Sequence, residues 1–376
     1  MHPGVLSDGE IKRLIESGII KSGEPIDLEK QLSSSTLDLR LGNIGYRVAG
    51  SVLPKKGEKV EDMAKRFNED FYTFDMNNPM DCQYFLEPGC TYVFELDEGL
   101  NLPNSIKAKA NPKSSIGRLD VLVKLLCDGN ETYDYVPAGY KGPLYIEICP
   151  LTFPIKLRKG SRFCQLRLYS NHSFSDFTAD RTELDMLHKE YGLIFDKKGK
   201  KIKNPMFDEN SLKLSVDLDD KVVAYRAKRN PKAVDVDKSG HYKLEDFWDV
   251  IKRKRDRSLI ISPDEFYILK SKERIRVPLS YATEIVAQDE TLGEWRVHYA
   301  GYVHPGFGYG KKGEVKGTHL IFEVKARDAP AILRDGRVLA KVFFQKMREE
   351  PVKPYNEGYQ KQLLMVSRHF KIKKKS

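Results

Sequence analysis

Two cationic side chains flank a short run of hydroxyl-bearing residues in the first half of the chain. The run reads Asn111-Pro112-Lys113-Ser114-Ser115-Ile116-Gly117-Arg118. Arginine offers phosphate oxygens a bidentate fork of donors and lysine a point charge, while serine hydroxyls and loop N–H groups bind the remaining lone pairs. A solvated turn between two strands is the alternative interpretation of such a composition. The residue types indicate a phosphate-binding loop, with Lys113, Ser114, Ser115 and Arg118 as the candidate contacts.

Short strands surround this loop. Between residues 85 and 169 the chain alternates or runs apolar over 92–96, 105–110, 121–126, 144–148, 155–157 and 163–168, with Pro and Gly between the runs. Many short strands with turn signals predict an all-β barrel or sandwich. A capping box at Ser7 and Glu10 predicts a short amphipathic helix ahead of them. The alternation over 36–42 predicts a first strand.

The same pattern returns later in the chain at a nearly constant offset. Pro263, Tyr267 and Pro278 follow Pro88, Tyr92 and Pro103 by 175 residues. An offset of 176 residues separates Glu323, Pro330, Leu333, Arg334 and Gly336 from Glu147, Pro154, Leu157, Arg158 and Gly160. We therefore predict a tandem duplication, with an N-terminal β domain at 1–170, an inter-repeat connection at 171–258 and a C-terminal β domain at 259–376.

The two copies differ in their chemistry. The second copy is acidic near residues 288–293, where the first copy carries Lys113 and Arg118. It has instead the sequence His298-Tyr299-Ala300-Gly301-Tyr302-Val303-His304-Pro305-Gly306-Phe307-Gly308, followed by a strand that ends at Glu323.

Several of these motifs occur together in one known family. They are Ser-Ser-x-x-Arg after a strand, Pro-Gly-aromatic in a hairpin, a strand ending in Glu, and Thr36-Leu37-Asp38-Leu39-Arg40-Leu41-Gly42 near the start. In this order they resemble the 2′-deoxycytidine 5′-triphosphate (dCTP) deaminase branch of the dUTPase-like trimeric β-barrels, and the two copies resemble its double-length form. The resemblance implies a mainly β fold, a tandem duplication of a dUTPase-like β-barrel (β-clip) with a few short helices.

The resemblance also implies site roles, in a pocket shared between neighbouring barrels. Glu323 would be the general base and acid that deaminates cytosine at C4, with Glu147 as the alternative in a site built from the first copy alone. Lys113, Ser114, Ser115 and Arg118 would bind the triphosphate. The other substrate contacts would be Ala300, Tyr302, His304, Ile321 and Phe322, with Tyr355 and Gln362 in a C-terminal lid.

Three positions depart from the family pattern. Lys113 and Tyr302 stand where the family usually has Arg, and His304 stands where it usually has Asp. Loss of that Asp bears on substrate choice and efficiency. Two rival functions therefore stay open: a dUTP diphosphatase or bifunctional enzyme, for which Asp128 and Asp134 are the candidate carboxylates, and a non-catalytic nucleotide-binding regulator.

The family chemistry implies Mg²⁺ carried by the nucleotide triphosphate and no metal for the deamination itself. His188-Lys189-Glu190 begins a zinc-deaminase motif, but the sequence lacks the matching Pro-Cys-x-x-Cys, so we expect no zinc. The implied ligands are dCTP or dUTP, with dTTP as a candidate inhibitor, and a homo-oligomer with three-fold or pseudo-three-fold barrel contacts.

Composition places further bounds on the function. The net charge of +10 favours anionic partners, and its excess lies in short lysine-rich runs that we interpret as exposed segments rather than nucleic-acid sites. Apolar runs are shorter than the ~20 residues of a membrane span, and no signal-peptide pattern opens the sequence. We expect a cytoplasmic protein with no nucleic-acid or membrane partner.

Overall fold

The computed structural model describes residues 2–78, 85–287, 295–298, 301–310, 312–353, 355 and 363–371. Its helices are α1 (Asp8–Glu16), α2 (Leu28–Gln31), α3 (Val60–Arg66), α4 (Ser114–Gly117), α5 (Arg181–Tyr191) and α6 (Leu244–Phe247). No helix of the described residues is long and apolar enough to cross a membrane.

Strands make up most of the remaining structure. The first half contains β1 (Ile20–Ser22), β2 (Leu37–Val48), β3 (Asn68–Asp75), β4 (Phe85–Leu86), β5 (Thr91–Asn101), β6 (Ile106–Pro112), β7 (Val121–Cys127), β8 (Tyr135–Val136), β9 (Lys141–Pro150), β10 (Ile155–Lys156) and β11 (Arg162–Ser170). The second half contains β12 (Ile194–Phe195), β13 (Leu212–Ser215), β14 (Val222–Ala227), β15 (Val234–Asp235), β16 (Tyr242–Lys243), β17 (Trp248–Lys252), β18 (Ser258–Ile261), β19 (Tyr267–Ile275), β20 (Tyr281–Ala287), β21 (Trp295–His298), β22 (Tyr302–Val303), β23 (Thr318–Ala326), β24 (Ala331–Arg334), β25 (Val338–Lys346) and β26 (Phe370–Lys371). The predicted mainly β fold is confirmed.

The strand registers of the two halves agree residue by residue. Glu147 on β9 pairs with Val93 on β5, and Glu323 on β23 pairs with Ile268 on β19. The same offset relates the β11–β6 pairing to the β25–β20 pairing and the β10–β4 pairing to the β24–β18 pairing. Two barrel-like units of one topology follow from this agreement, each with its own apolar core.

The opening helix forms as its sequence predicts. The Ser7 hydroxyl accepts from the Glu10 backbone N–H at 3.3 Å, and the Glu10 carboxylate accepts from the Ser7 N–H at 3.0 Å. These bonds close the capping box of α1 and satisfy donors that a helix N-terminus leaves unpaired. Ile11 then packs into the first core with no exposed surface.

The second barrel also has this opening unit. In the first barrel α1 leads into β1, where Ile20 pairs with Leu100. In the second, α5 leads into β12, where Ile194 pairs with Ile275. Strands β13, β14 and β17 join the sheets of the second barrel as well. We therefore propose a boundary near residue 180 in place of the predicted connection at 171–258, whose short strands carry too weak a pattern to show their partners.

Residues 228–247 leave the second barrel and cross to the first. There β15 adds in parallel to β10, and the Arg158 guanidinium bonds both carboxylate oxygens of Asp235 at 2.9 and 2.8 Å. Phe247 and Trp248 pack edge-on against Phe153 of the first barrel, with ring centroids 5.6 Å apart in both pairs. This crossing builds the surface on which the last described residues of the chain lie.

Candidate active site

One pocket takes side chains from both barrels. Its first-half lining consists of Glu29, Lys30, Gln31, Leu32, Ser33, Asp38, Lys113, Ser114, Ser115, Arg118 and Gln165. Its second-half lining consists of Ile285, Tyr302, Val303, His304, Phe307, Leu320, Ile321, Glu323, Tyr355 and Arg368. The predicted phosphate loop, the predicted base-binding hairpin and Glu323 therefore meet in one place.

The phosphate loop is held at the end of a sheet. Pro112 at the end of β6 pairs with Cys164 on β11, and the Lys113 N–H donates to the Phe163 carbonyl at 2.9 Å. The chain then turns through the single helical turn α4, in which Ser115 is buried. This turn places Lys113 and Arg118 at the pocket from opposite ends of the loop.

Asp38 on β2 balances the charge of this loop. The Lys113 ammonium and the Asp38 carboxylate form an ion pair, and the Arg162 guanidinium lies 3.5 Å from the same carboxylate oxygen. We treat Asp38 as a group that orients Lys113 across the strands. An arriving phosphate would compete with Asp38 for this ammonium.

First-half serines support the hairpin of the second half. The Tyr302 hydroxyl lies 2.5 Å from the Ser35 hydroxyl, and His304 Nδ1 lies 3.3 Å from the Ser34 hydroxyl. The guanidinium of the fully buried Arg167 lies 4.2 Å over the Tyr302 ring, a favourable cation–π geometry. Both departures from the family pattern in this hairpin thus have partners in the other barrel.

His304 contributes shape rather than charge at neutral pH. Burial, with the nearby cations Lys113 and Arg167, lowers the pKa of His304 to about 3. Its ring stacks on Tyr355, with centroids 5.2 Å apart and planes 8° apart. A neutral imidazole held in this way can form a hydrogen bond with a substrate but cannot pair with a phosphate.

Glu323 reaches the pocket because of strand alternation. Side chains of successive residues in a strand point to opposite faces, so Ile321 and Glu323 line the pocket. Phe322, predicted with them, points the other way and is packed in the second core. Glu323 is only 2% exposed and lies between β19 and β21.

Glu147 has different surroundings and does not line this pocket. The loop at residues 49–59 folds over it, and its carboxylate accepts from the Ser51 hydroxyl at 2.5 Å and the Val52 N–H at 2.9 Å. Burial raises the pKa of Glu147, and these two hydrogen bonds oppose the rise. Val52 is itself buried in a small cluster with Tyr46 and Val93.

Other predicted residues have other placements. Ala300 and Gln362 lie outside the described residues. Asp128 accepts from the Val60 N–H, and Asp134 accepts from the Leu125 N–H. Burial raises the pKa of Asp134 to about 6. Neither carboxylate lines the pocket, so both have structural partners in the first barrel.

Sequence reasoning missed Asp38, Gln165 and Arg368 as pocket residues. Asp38 and Gln165 face each other only because β2 pairs with β11, and no local pattern shows that pairing. The alternation over 36–42 did indicate that Asp38 and Arg40 share a face, which was the available signal.

Metal-ligating residues were also compared with the predictions. Among the described residues no group of three or more His, Cys, Asp or Glu could hold a metal ion. The His188 ring bonds the Ile202 carbonyl at 2.8 Å and the Leu193 N–H at 3.1 Å, which is a structural role. The absence of zinc stays a prediction.

Family models match nearly the whole chain. The 2′-deoxycytidine 5′-triphosphate deaminase (DCD) N-terminal domain matches residues 2–172, and the C-terminal domain of the same family matches residues 180–370. The chain belongs to the dCTP deaminase family. The two models meet close to the boundary that the strand registers indicate.

Named relatives agree with this assignment. The chain is 27% identical over 205 residues to "dCTP deaminase, dUMP-forming" of Dictyoglomus thermophilum, covering 50% of this chain and 98% of that protein. It is 30% identical over 167 residues to the protein of the same name in Methanothermobacter thermautotrophicus, covering 43% and 77%. The crystal structure of dCTP deaminase from Agrobacterium tumefaciens matches with a TM-score of 0.84 and 38% identity, over 93% of this chain and 97% of that one.

Proposed function

We propose that this chain deaminates dCTP by hydrolysis, releasing ammonia at the pocket between its two barrels. The observation that carries the proposal is the shared lining of that pocket. The first barrel contributes Lys113 and Arg118, and the second contributes Glu323 and the Tyr302–His304 hairpin. Cations at one end and a buried carboxylate at the other suit a substrate with a triphosphate and a polar base.

Glu323 would move the protons of the reaction. Its carboxylate takes a proton from a water molecule, and the resulting hydroxide adds to C4 of the cytosine ring. The protonated Glu323 then gives that proton to the leaving amine, ammonia departs and C4 becomes a carbonyl carbon. General acid–base catalysis needs such a group within hydrogen-bond reach of the reacting atoms. The apolar neighbours Leu320, Ile321 and Phe307 limit competing water.

The triphosphate end needs cations more than ring-shaped selectivity. Lys113 and Arg118 supply charge and donors to phosphate oxygens, and Mg²⁺ would arrive with the nucleotide as part of the substrate. His304, neutral at neutral pH, would contact the sugar or base by hydrogen bonding. In enzyme-class terms the proposal is a hydrolase acting on the C–N bond of a cyclic amidine.

Release of dUMP is the second candidate reaction at the same pocket. The Dictyoglomus and Methanothermobacter relatives are both named as dUMP-forming. That reaction also needs a carboxylate to activate water at the α-phosphate. In the described part of the pocket, the carboxylates besides Glu323 are Glu29 and Asp38. Asp38 is the better placed of the two because it already contacts Lys113.

The deciding experiment incubates the purified protein with dCTP and Mg²⁺, and in parallel with dUTP. Ammonia and nucleotide products are followed by chromatography. Formation of dUTP from dCTP, lost in Glu323→Gln, supports deamination alone, whereas dUMP and pyrophosphate support the combined reaction. Binding of dCTP without any product would contradict the proposal and favour a regulator.

Assembly, inhibition and location are part of the same proposal. We infer a cytoplasmic homo-oligomer with three-fold or pseudo-three-fold barrel contacts, inhibited by dTTP as end product. Light scattering on the purified protein gives the number of chains, and a dCTP titration with added dTTP gives the inhibition. A monomer that is fully active, or turnover unaffected by dTTP, would contradict the corresponding part.

A further inference from the structure

The last described residues of the chain return to the phosphate loop. β26 pairs in parallel with β16, and the Phe370 ring packs against Trp248 with centroids 5.8 Å apart. The Ser367 hydroxyl donates to the Ser115 carbonyl at 2.6 Å, and Arg118 Nη1 donates to the Met365 carbonyl at 3.3 Å. This segment is therefore attached to the loop that we propose to bind phosphates.

The backbone on both sides of Arg368 is fixed by hydrogen bonds. The Phe370 N–H donates to the Ser367 carbonyl at 3.2 Å, which closes a turn with Arg368 at its second position. The Gly240 N–H donates to the Arg368 carbonyl at 2.9 Å. Next to it, the fully buried His369 has its Nε2 2.8 Å from the Val236 carbonyl. Arg368 is exposed, projects from this fixed turn and lines the pocket.

The cations of the pocket differ in what already neutralises them. Lys113 is ion-paired with Asp38, and the Lys30 ammonium lies 2.7 Å from Asp27. Arg118 bonds the Met365 carbonyl. Within the described residues the Arg368 guanidinium has no ion pair. It can therefore bind a polyanion without giving up an existing carboxylate partner.

We propose that Arg368 is a further triphosphate-binding residue, placed by the docked C-terminal segment; this inference rests on the proposed function. The planar guanidinium can bind two phosphate oxygens at once. It would supply the bidentate contact that the family usually obtains at the position of Lys113. Loss of such a contact typically weakens binding by roughly 10- to 100-fold.

The test compares Arg368→Gln, Arg368→Lys and wild type by calorimetric binding of dCTP, dCMP and inorganic tripolyphosphate, each with Mg²⁺. Lys371→Gln is the matched control, an exposed cation three residues further on the same docked segment that does not line this pocket. We expect Arg368→Gln to weaken dCTP and tripolyphosphate binding by roughly 10- to 100-fold and dCMP binding far less. Arg368→Lys should recover part of the loss, and Lys371→Gln should match wild type.

Turnover separates this inference from the proposed function. We expect Arg368→Gln to raise the KM for dCTP by a factor similar to its binding loss while kcat changes little, which a general disturbance of the fold would not produce. Unchanged tripolyphosphate binding, or equal losses for dCTP and dCMP, would overturn the role of Arg368. If wild type bound tripolyphosphate through Arg368 but released no ammonia, the proposed function alone would fail. If wild type bound neither compound, both would be overturned.

Discussion

Glu147 pairs with Val93 and Glu323 pairs with Ile268, so the two carboxylates hold the same place in their barrels. Their surroundings differ. The 49–59 loop gives Glu147 two hydrogen bonds, from Ser51 and Val52, whereas Glu323 lines a pocket with the phosphate loop of the other barrel. The comparison teaches that strand register preserved the position of the carboxylate while a loop next to the first copy changed its use.

A second pair of carboxylates shows the opposite outcome. Glu98 in the first barrel and Glu273 in the second are 175 residues apart and both buried. Glu98 accepts from the Arg40 N–H at 2.7 Å, and Glu273 accepts from the Ser215 N–H at 2.9 Å. Both copies kept this contact because it satisfies a backbone donor inside the barrel, which either copy needs in order to fold.

The largest expected effect is on turnover at Glu323. Glu323→Gln should lower kcat by roughly 100- to 10,000-fold, because a glutamine cannot cycle a proton. Glu147→Gln should leave kcat near wild type and lower the free energy of unfolding by roughly 1–3 kcal/mol, since a buried acceptor is weakened. Steady-state ammonia release and urea denaturation measure the two quantities. A kcat loss in Glu147→Gln as large as that in Glu323→Gln would contradict a site built by both barrels.

The phosphate loop gives the next largest effect. Arg118→Gln should raise the KM for dCTP by roughly 10- to 100-fold, because charge-assisted hydrogen bonds to phosphate are lost. The KM for dCMP should rise less, since fewer phosphate contacts are available to lose. Initial-rate kinetics with both nucleotides check this expectation. Equal increases for the two would indicate that Arg118 acts through the base or through the docked Met365 segment instead.

The matched carboxylates should behave alike in both barrels. Glu98→Gln should lower the free energy of unfolding by roughly 1.5–3 kcal/mol, because it also removes the charged partner of the Arg40 guanidinium. Glu273→Gln should cost roughly 1–2 kcal/mol, since its partners are neutral. Urea denaturation monitored by fluorescence measures both. A neutral result in either variant would break the proposed equivalence of the two barrels at this position.

A pH-dependent effect of similar or smaller size should come from His319, which the first barrel lacks because Pro143 takes its place. Burial, with nearby Lys270, lowers the pKa of His319 to about 4. The unfolded chain binds this proton below pH ~6.5, so stability is full above that pH and falls as pH drops towards 4. At pH 5 the loss attributable to His319 should be roughly 1–2 kcal/mol.

Chemical denaturation of wild type and His319→Gln at pH 7.5 and pH 5.0 tests this expectation. The difference between the two pH values should be smaller in the variant by about the stated amount. Subtracting the variant removes the contributions of carboxylates such as Glu273, whose pKa burial raises. An identical pH dependence in both proteins would mean that His319 titrates alike in the folded and unfolded states.

Much of the strand pattern could be predicted from the sequence. The apolar runs at 92–96, 121–126 and 144–148 lie within β5, β7 and β9, because short alternating runs between Pro and Gly have few other uses. The segment at 55–80 was interpreted only as an excursion. It forms α3 and β3, whose charged residues hide the pattern and whose pairing with β2 is a long-range contact.

The repeat offsets, the phosphate loop and the candidate Glu323 were determined by the sequence alone, since each depends on residue types at fixed spacing. Tertiary structure decided which carboxylate faces the phosphate loop, because the 49–59 loop reaches Glu147 only once the first barrel has closed. It also placed Asp38 beside Lys113 and Arg368 in the pocket. These contacts join residues 75 or more positions apart, and no local pattern specifies which distant chain segments fold together.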